Sequence, residues 1–498
     1  MNLAIQARKA AFASCLLLLC CLAASAQTPA TPPAQPSPLT QSLARVLDQG
    51  ELLLNSAPGI VADPLDFGQM ARYKLQILSL DGQSWTTTRF SVEGINGSDP
   101  YQPGRPLVFP GPIGVSELTL AQADLMLGPT VTYHFALPVS KWHLNASGIL
   151  TGSPLFSNNL PAAGSRGNLQ RSEQFNHFYQ PGVELGGRVN RKIDFLFTGG
   201  GRWATETIPE AATNLPIHVY HLFGTVRATL RPNAKNTIDV LLIGSRMNSS
   251  GWATPFALEA IAGQRMAPPI VGNPNLREED HPDFVQVGWS RTVAGGAFQL
   301  RYGYSTAHID TVATNLPTDY QSLVTQNLVT TYLDIANGQY TVAPLLQTLE
   351  VRPRHSVTGS WTLPFGFTMT ATAERAKAEN RMLWPPYILA VTANGVADSA
   401  TFLNTPNDAL TVTNSLEIGL NEHLRLGQSL TADLGATFSD WAGDIPAQTS
   451  PTAQGGGTAR SYPVQPGIRW KHLAPRVALA WRASGAGALV LRAGAGRQ

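Results

Sequence analysis

The densest run of side chains able to hold a ligand is Glu278-Glu279-Asp280-His281-Pro282-Asp283. Carboxylates in that number suit a hard cation or a basic ligand. The surrounding polar sequence puts the run in a long outer loop, where a solvated surface segment explains it better than a ligand site does. A second group, Gly94, Asn96 and Asp99, falls in Val92-Glu93-Gly94-Ile95-Asn96-Gly97-Ser98-Asp99-Pro100. Gly94, Asn96 and Gly97 can form a ligand-facing apex, and a turn whose residues take positive φ explains them at least as well. The ten histidines are scattered with no HExxH or other ligand spacing. Gly199-Gly200-Gly201 opens no helix and is no phosphate cradle, and no G-x-S-x-G elbow occurs. The expectation is a non-enzyme with no catalytic residue, no metal and no cofactor. The candidate ligand contacts are Gly94, Asn96, Asp99, Glu278, Glu279 and Asp280.

Composition narrows the scaffold that must carry those residues. Of 498 residues, 14% are charged, against about 25% in an ordinary soluble domain. Gly (45) and Pro (37) are abundant. A hydrophobic fraction of 43% with mean hydropathy −0.05 is too apolar for a disordered chain. Beyond the first 26 residues no run of about 18 apolar residues exists, which excludes membrane-spanning helices. At the N-terminus, Arg8-Lys9, the apolar stretch Ala10 to Leu22 and Ala24-Ser25-Ala26 have the order of a signal peptide over residues 1–26. Leu19 before Cys20 is too bulky for lipoprotein processing. Cys15, Cys20 and Cys21 are the only cysteines, so the exported chain is expected to have no disulfide framework. Loss of Arg8 and Lys9 takes the formal charge from +2 to zero, which argues against a nucleic-acid partner.

Residues 27–42 are a Pro-rich linker containing TPATPPAQPSP. Residues 43–127 are expected to form a small mixed α/β domain. It has a helical start (LARVLDQGELLLNSA) and short strands between Gly/Pro turns. From 128 to 498 the texture is alternation of period two. Phe298, Leu300, Tyr302 and Tyr304 oppose Gln299, Arg301, Gly303 and Ser305, as side chains of a strand must. The pattern recurs at 222–230, 356–363, 367–374 and 429–438. Tight turns (Asn190-Arg191-Lys192, Ala294-Gly295-Gly296, Pro364-Phe365-Gly366, Ser484 to Gly487) alternate with long polar stretches. Short turns at one end and long loops at the other describe an outer-membrane β-barrel. Seven strand pairs are expected, near 130–150, 178–203, 217–248, 283–308, 352–377, 411–440 and 472–498. Trp142, Trp203, Trp289, Trp361 and Trp481 sit near strand ends, as in an interfacial girdle. Arg227, Arg231 and Arg301 on polar strand faces are expected to line the lumen and meet carboxylates of the small domain.

The block VEGINGSDPYQPGRPLVFPGPIGVSELTL (92–120) resembles the late plug of TonB-dependent outer-membrane receptors, with its D/E-G-x-N turn, D-P loop and final strand into the barrel. LLLNSAPGI (52–60) is similar to the plug start. HFYQPGVELGGRVNRKIDFLFTGGGRWATE resembles the barrels of large acidobacterial members. The resemblance implies a plug (43–127) within an antiparallel transmembrane β-barrel (128–498). Ligand would be captured by plug apices and outer loops, and energy supplied by the TonB-ExbB-ExbD complex. The barrel assembly machinery and outer-membrane lipid are the other implied partners. Against a family barrel of 22 strands, about 14 are expected here, without a TonB box between Gln27 and Ala44. The chain is accordingly expected to be a transport receptor truncated at its C-terminus, or a non-functional fragment. The alternative is a structural or adhesive surface β-barrel without energised transport.

Overall fold

The computed structural model describes residues 60–62, 78–80, 83–102, 104–108, 114–124, 128–152, 174–207, 217–250, 276–293, 296–313, 331–334, 339–341, 347–363, 367–383, 387–391, 397–402, 407–425, 429–450, 459–482 and 490–496. The signal segment, the Pro-rich linker and the expected helical start lie outside them. The architecture is mainly β. The helical structure among the described residues is one 3-10 turn, Trp85–Thr87, capped by the Ser84 side chain accepting from the Thr86 N–H.

A four-stranded mixed sheet forms the small domain, in the order Ile95–Asn96, Arg89–Val92, Gly128–Phe135, Val115–Asp124. Arg89–Val92 and Gly128–Phe135 run parallel, and the other pairs are antiparallel. The hairpin between Val92 and Ile95 turns on Glu93 (φ 49°) and Gly94 (φ 83°). Two successive positive φ values make a type I′ turn, whose twist matches the flanking strands. Phe90, Val92, Ile95, Val131, Tyr133 and Phe135 are buried on one side. On the other, Ser91 and Thr132 share a 2.6 Å hydroxyl contact.

Gly128–Phe135 was expected as the first barrel strand, but it belongs to this small sheet, so the passage between sheets falls between Phe135 and His143. Period-two burial of Val131, Tyr133 and Phe135 is the same signal a barrel strand gives, so alternation alone cannot tell the two sheets apart.

The second sheet has 14 strand segments, antiparallel throughout and each paired with its sequence neighbour in that sheet, from His143–Gly152 to Val490–Gly496. Gln347–Val351 and Arg354–Thr362 both pair with Gly296–Ala313 and with Phe367–Leu383. They are one wall position interrupted at Arg352-Pro353. Most segments run 15 to 19 residues, more than the 9–11 residues or so that cross a bilayer at barrel tilt. Successive tight turns are built alike. Asn190 Oδ1 accepts from the Lys192 and Ile193 N–H groups, and Asn233 Oδ1 accepts from Lys235 N–H.

One face of this wall is apolar and exposed. Leu222, Val226, Leu242, Val287, Leu300, Val357, Met369 and Leu416 all stand open. Trp142, Trp289, Trp361 and Trp481 are exposed toward the tight-turn end, and Tyr179, Trp203 and Tyr220 toward the other. Trp203 and Tyr220 meet edge to face with centroids 5.4 Å apart, the geometry ring quadrupoles favour. Two stretches expected as loops also carry strands. Thr331–Asp334 pairs in parallel with Tyr387–Val391, and Gln339–Thr341 and Ala397–Phe402 flank them, forming a separate four-stranded sheet.

Candidate functional site: where the small domain meets the wall

The opposite face of the wall receives the small domain along wall strands from Ile193–Thr207 to Leu430–Ile445. The strand period that exposes Leu222 and Leu300 must turn Thr225, Arg227, Arg301 and Ser305 the other way. There Glu93 is the hub. Its Oε1 accepts from the Phe135 N–H at 2.8 Å and from Arg227 Nη1 at 2.7 Å, while Arg301 Nη1 donates to its carbonyl oxygen at 2.5 Å. Arg227 also donates to the Phe135 carbonyl at 2.7 Å and is paired on its own wall with Asp239 at 2.9 Å. Of the three arginines expected to meet carboxylates of the small domain, Arg227 does so, and Arg301 binds a backbone carbonyl instead. Arg231 pairs with wall Asp194 at 2.5 Å.

Beside this latch is an apolar seam. Leu241, Ile243, Phe284 and Ala307 of the wall join Phe90, Val92, Ile95, Leu107, Val131 and Tyr133 in one buried cluster. The fit is close: a Cβ placed on Gly303 would stand 2.5 Å from Ile95 Cγ2. Glycine there lets the wall admit the isoleucine.

Further round the wall the contacts are polar. Arg352, which faces inward by the same alternation as Arg354 and Ser356 and is fully buried, donates to both Asp99 and Glu350. Its guanidinium also stacks over Tyr101 at 5.0 Å, a favourable cation–π arrangement. Asp99 Oδ1 accepts from the N–H groups of Tyr101 and Gln102 at 2.8 and 3.0 Å. Asn96 Nδ2 donates to Glu374 Oε2 at 2.9 Å, and Glu374 also accepts from Ser356 Oγ at 3.1 Å with Arg354 at 3.9 Å. Arg89 lies 4.0 Å from Glu417 and over the Trp441 ring at 5.3 Å.

The structure therefore draws Gly94, Asn96 and Asp99 together as contacts between small domain and wall, with Gly94 beside Arg301. It does not bring the acidic run to them. Glu278, Glu279 and Asp280 lie within the strand Leu276–Val293, not in a loop. Strand alternation then divides them. Glu278 and Asp280 are buried on the inner face, while Glu279 points the other way and pairs with Arg277 at 2.6 Å. Among the described residues no three His, Asp or Glu side chains converge as a metal site. Sequence reasoning missed Arg352, Arg354, Glu374 and Glu417. The available signal was a charge at inward positions of otherwise Thr/Ser-rich faces, together with a proline inside a strand.

No family model matches the chain, and no curated protein sequence matches it. Solved structures do. The ferric citrate transporter FecA superposes with TM-score 0.56 at 12% identity, covering 89% of this chain and 59% of FecA. The ferric yersiniabactin uptake receptor FyuA from Yersinia pestis gives 0.55 at 12% identity, with 87% and 60% covered. The ferric-catecholate import receptor Fiu from E. coli K12 gives 0.54 at 9%, with 89% and 70% covered. The chain thus spans about three fifths of FecA's length. With a small mixed sheet seated against the inner face of an antiparallel wall, and these structures as its matches, the chain has the fold of TonB-dependent outer-membrane receptors.

Proposed function

We propose that the chain is a receptor-type transport protein of the Gram-negative outer membrane, in which residues up to Phe135 act as plug and the strands from His143 onward as barrel wall. The observation that carries this reading is the seating of the small sheet on the polar face of the wall, opposite an exposed apolar face bounded by aromatic residues. A polar inner face occupied by a folded domain blocks free diffusion, and an apolar outer face suits lipid. Ligand is bound at the outer loops and the plug, with Gly94, Asn96, Asp99, Glu278, Glu279 and Asp280 among the residues near its path. It then passes through the barrel when the TonB-ExbB-ExbD complex acts on the plug. The signal segment and the barrel assembly machinery deliver the chain to the membrane. Small metal chelates are the first ligands to test, because the matched proteins are described as a ferric citrate transporter and a copper transporter.

The test expresses the full chain in a Gram-negative host and follows radiolabelled ferric citrate and copper in strains with and without TonB. Accumulation above the empty-vector strain that disappears without TonB supports the reading. An inserted barrel with no TonB-dependent accumulation of any supplied ligand favours the structural or adhesive surface barrel. Recovery of the chain in the soluble periplasmic fraction overturns both.

A further inference from the structure

We propose that the small domain parts from the wall on one side only. The transit route then opens along the polar seam facing Arg354–Thr362, Phe367–Leu383 and Asn407–Arg425, while the apolar seam on Asn236–Ser250, Leu276–Val293 and Gly296–Ala313 stays closed as the pivot. This rests on the plugged-receptor reading and assigns the route and its gating residues within it.

The argument is about what each group has left when the seam opens. Separated from Asn96, Glu374 keeps Ser356 Oγ at 3.1 Å and Arg354 at 3.9 Å, both on its own wall. Separated from Asp99, Arg352 keeps Glu350, and Asp99 keeps the Tyr101 and Gln102 N–H groups. The Arg89–Glu417 pair, at 4.0 Å and with both side chains partly exposed, exchanges its partner for water at small cost. The groups bonded across this seam, Glu374, Asn96, Arg352, Asp99, Arg89 and Glu417, therefore each return to a local partner or to solvent. The apolar seam has no such exchange. Parting Leu241, Ile243, Phe284 and Ala307 from Phe90, Val92 and Ile95 returns apolar surface to water with nothing gained. Ile95 seated against Gly303 also resists sliding.

The opened seam would be lined by Thr358 and Thr372, whose hydroxyls stand 3.2 Å apart, with Ser356, Thr370 and the paired charges around Glu374. A wall of hydroxyls and internally paired charges suits a hydrophilic solute and presents no apolar groove. Arg89, Asn96 and Asp99 are the gating residues on the small domain. Glu374, Arg352 and Glu417 are their counterparts.

Thiol labelling tests this directly, because cysteine occurs only at positions 15, 20 and 21. Ser356→Cys and Ala307→Cys place one thiol in each seam at sites equally buried at rest, 1% exposed in both. The full-length chain in outer-membrane vesicles is treated with a maleimide in graded urea, and labelling is mapped by peptide. The expected result is that the thiol at position 356 reacts about tenfold faster than the thiol at position 307 at urea concentrations below global unfolding, as for a local opening of lower free energy. Equal rates, or faster reaction at position 307, overturn the proposal. A second pair, Asn96→Cys with Glu374→Cys joined by a short bismaleimide, should abolish that difference, and an unchanged difference also overturns it. Labelling at both sites in the absence of urea means that the small domain is not seated at all, which defeats the underlying plug reading rather than the choice of seam.

Discussion

Between Ile217 and Ala313 the wall offers the small domain Leu241, Ile243, Phe284 and Ala307, with the Arg227–Glu93 latch beside them. Between Gln347 and Arg425 it offers Arg352, Arg354, Glu374 and Glu417. Both stretches are strands of one continuous sheet with one inner face, and both alternate with period two. They differ in what stands at the inward positions. An interface made of apolar area holds in proportion to the surface it hides and gives little directional choice. One made of charges and amides holds weakly in water but fixes orientation. Having both on one wall gives the small domain a firm side and a yielding side.

Substitutions can break that contrast, and the largest effect is expected at its exception. Arg352→Ala leaves Asp99 and Glu350 buried without their guanidinium and should destabilise the seated domain by about 3–5 kcal/mol. The midpoint of urea-induced protease sensitivity in the refolded protein measures it. Leu241→Ala, in the apolar seam, should cost about 3 kcal/mol by lost burial and a residual cavity. If it costs no more than Asn96→Ala, the firm side is no firmer than the other. Gly303→Val drives a side chain into Ile95 and should cost about 1–3 kcal/mol. Adding Ile95→Ala should recover part of that loss, which a double-mutant cycle would register as coupling. Asn96→Ala removes one hydrogen bond to Glu374 and should cost about 1 kcal/mol. Arg89→Ala should cost less than about 1 kcal/mol and lose even that in high salt, since its pair with Glu417 is long and partly solvated.

Much of this architecture can be read from residue order. Alternation at 298–305 and 429–438 marks wall strands, and Gly94 marks a turn because glycine takes a positive φ freely, while Glu93 beside it at φ 49° is an exception that residue type does not announce. The inner face was legible in part: Arg227, Arg231 and Arg301 were expected to meet carboxylates of the small domain, and Arg227 does, whereas Arg301 reaches the Glu93 carbonyl and Arg231 pairs with wall Asp194. Three things were not legible. Gly128–Phe135 alternates like a barrel strand but pairs with Arg89–Val92, a choice made by partners 41 residues upstream and not by local pattern. The acidic run 278–283 looked like loop because charge is rare in strands, yet a strand extending beyond the apolar belt has no reason to exclude it. The partners of Asn96 and Asp99, Glu374 and Arg352, lie 278 and 253 residues downstream. No local spacing announces a contact of that range.

The sheet joining Thr331–Asp334 to Tyr387–Val391 ties two loops that leave opposite edges of the same wall hairpin, 347–383. A residue inserted within Thr331–Asp334 or within Tyr387–Val391 would shift the register of this parallel pair by one. The two paired strands are therefore not free to change separately. Anything that docks at this end of the molecule meets a single leaf built from two distant stretches of the chain, so a change in one strand must be matched in the other.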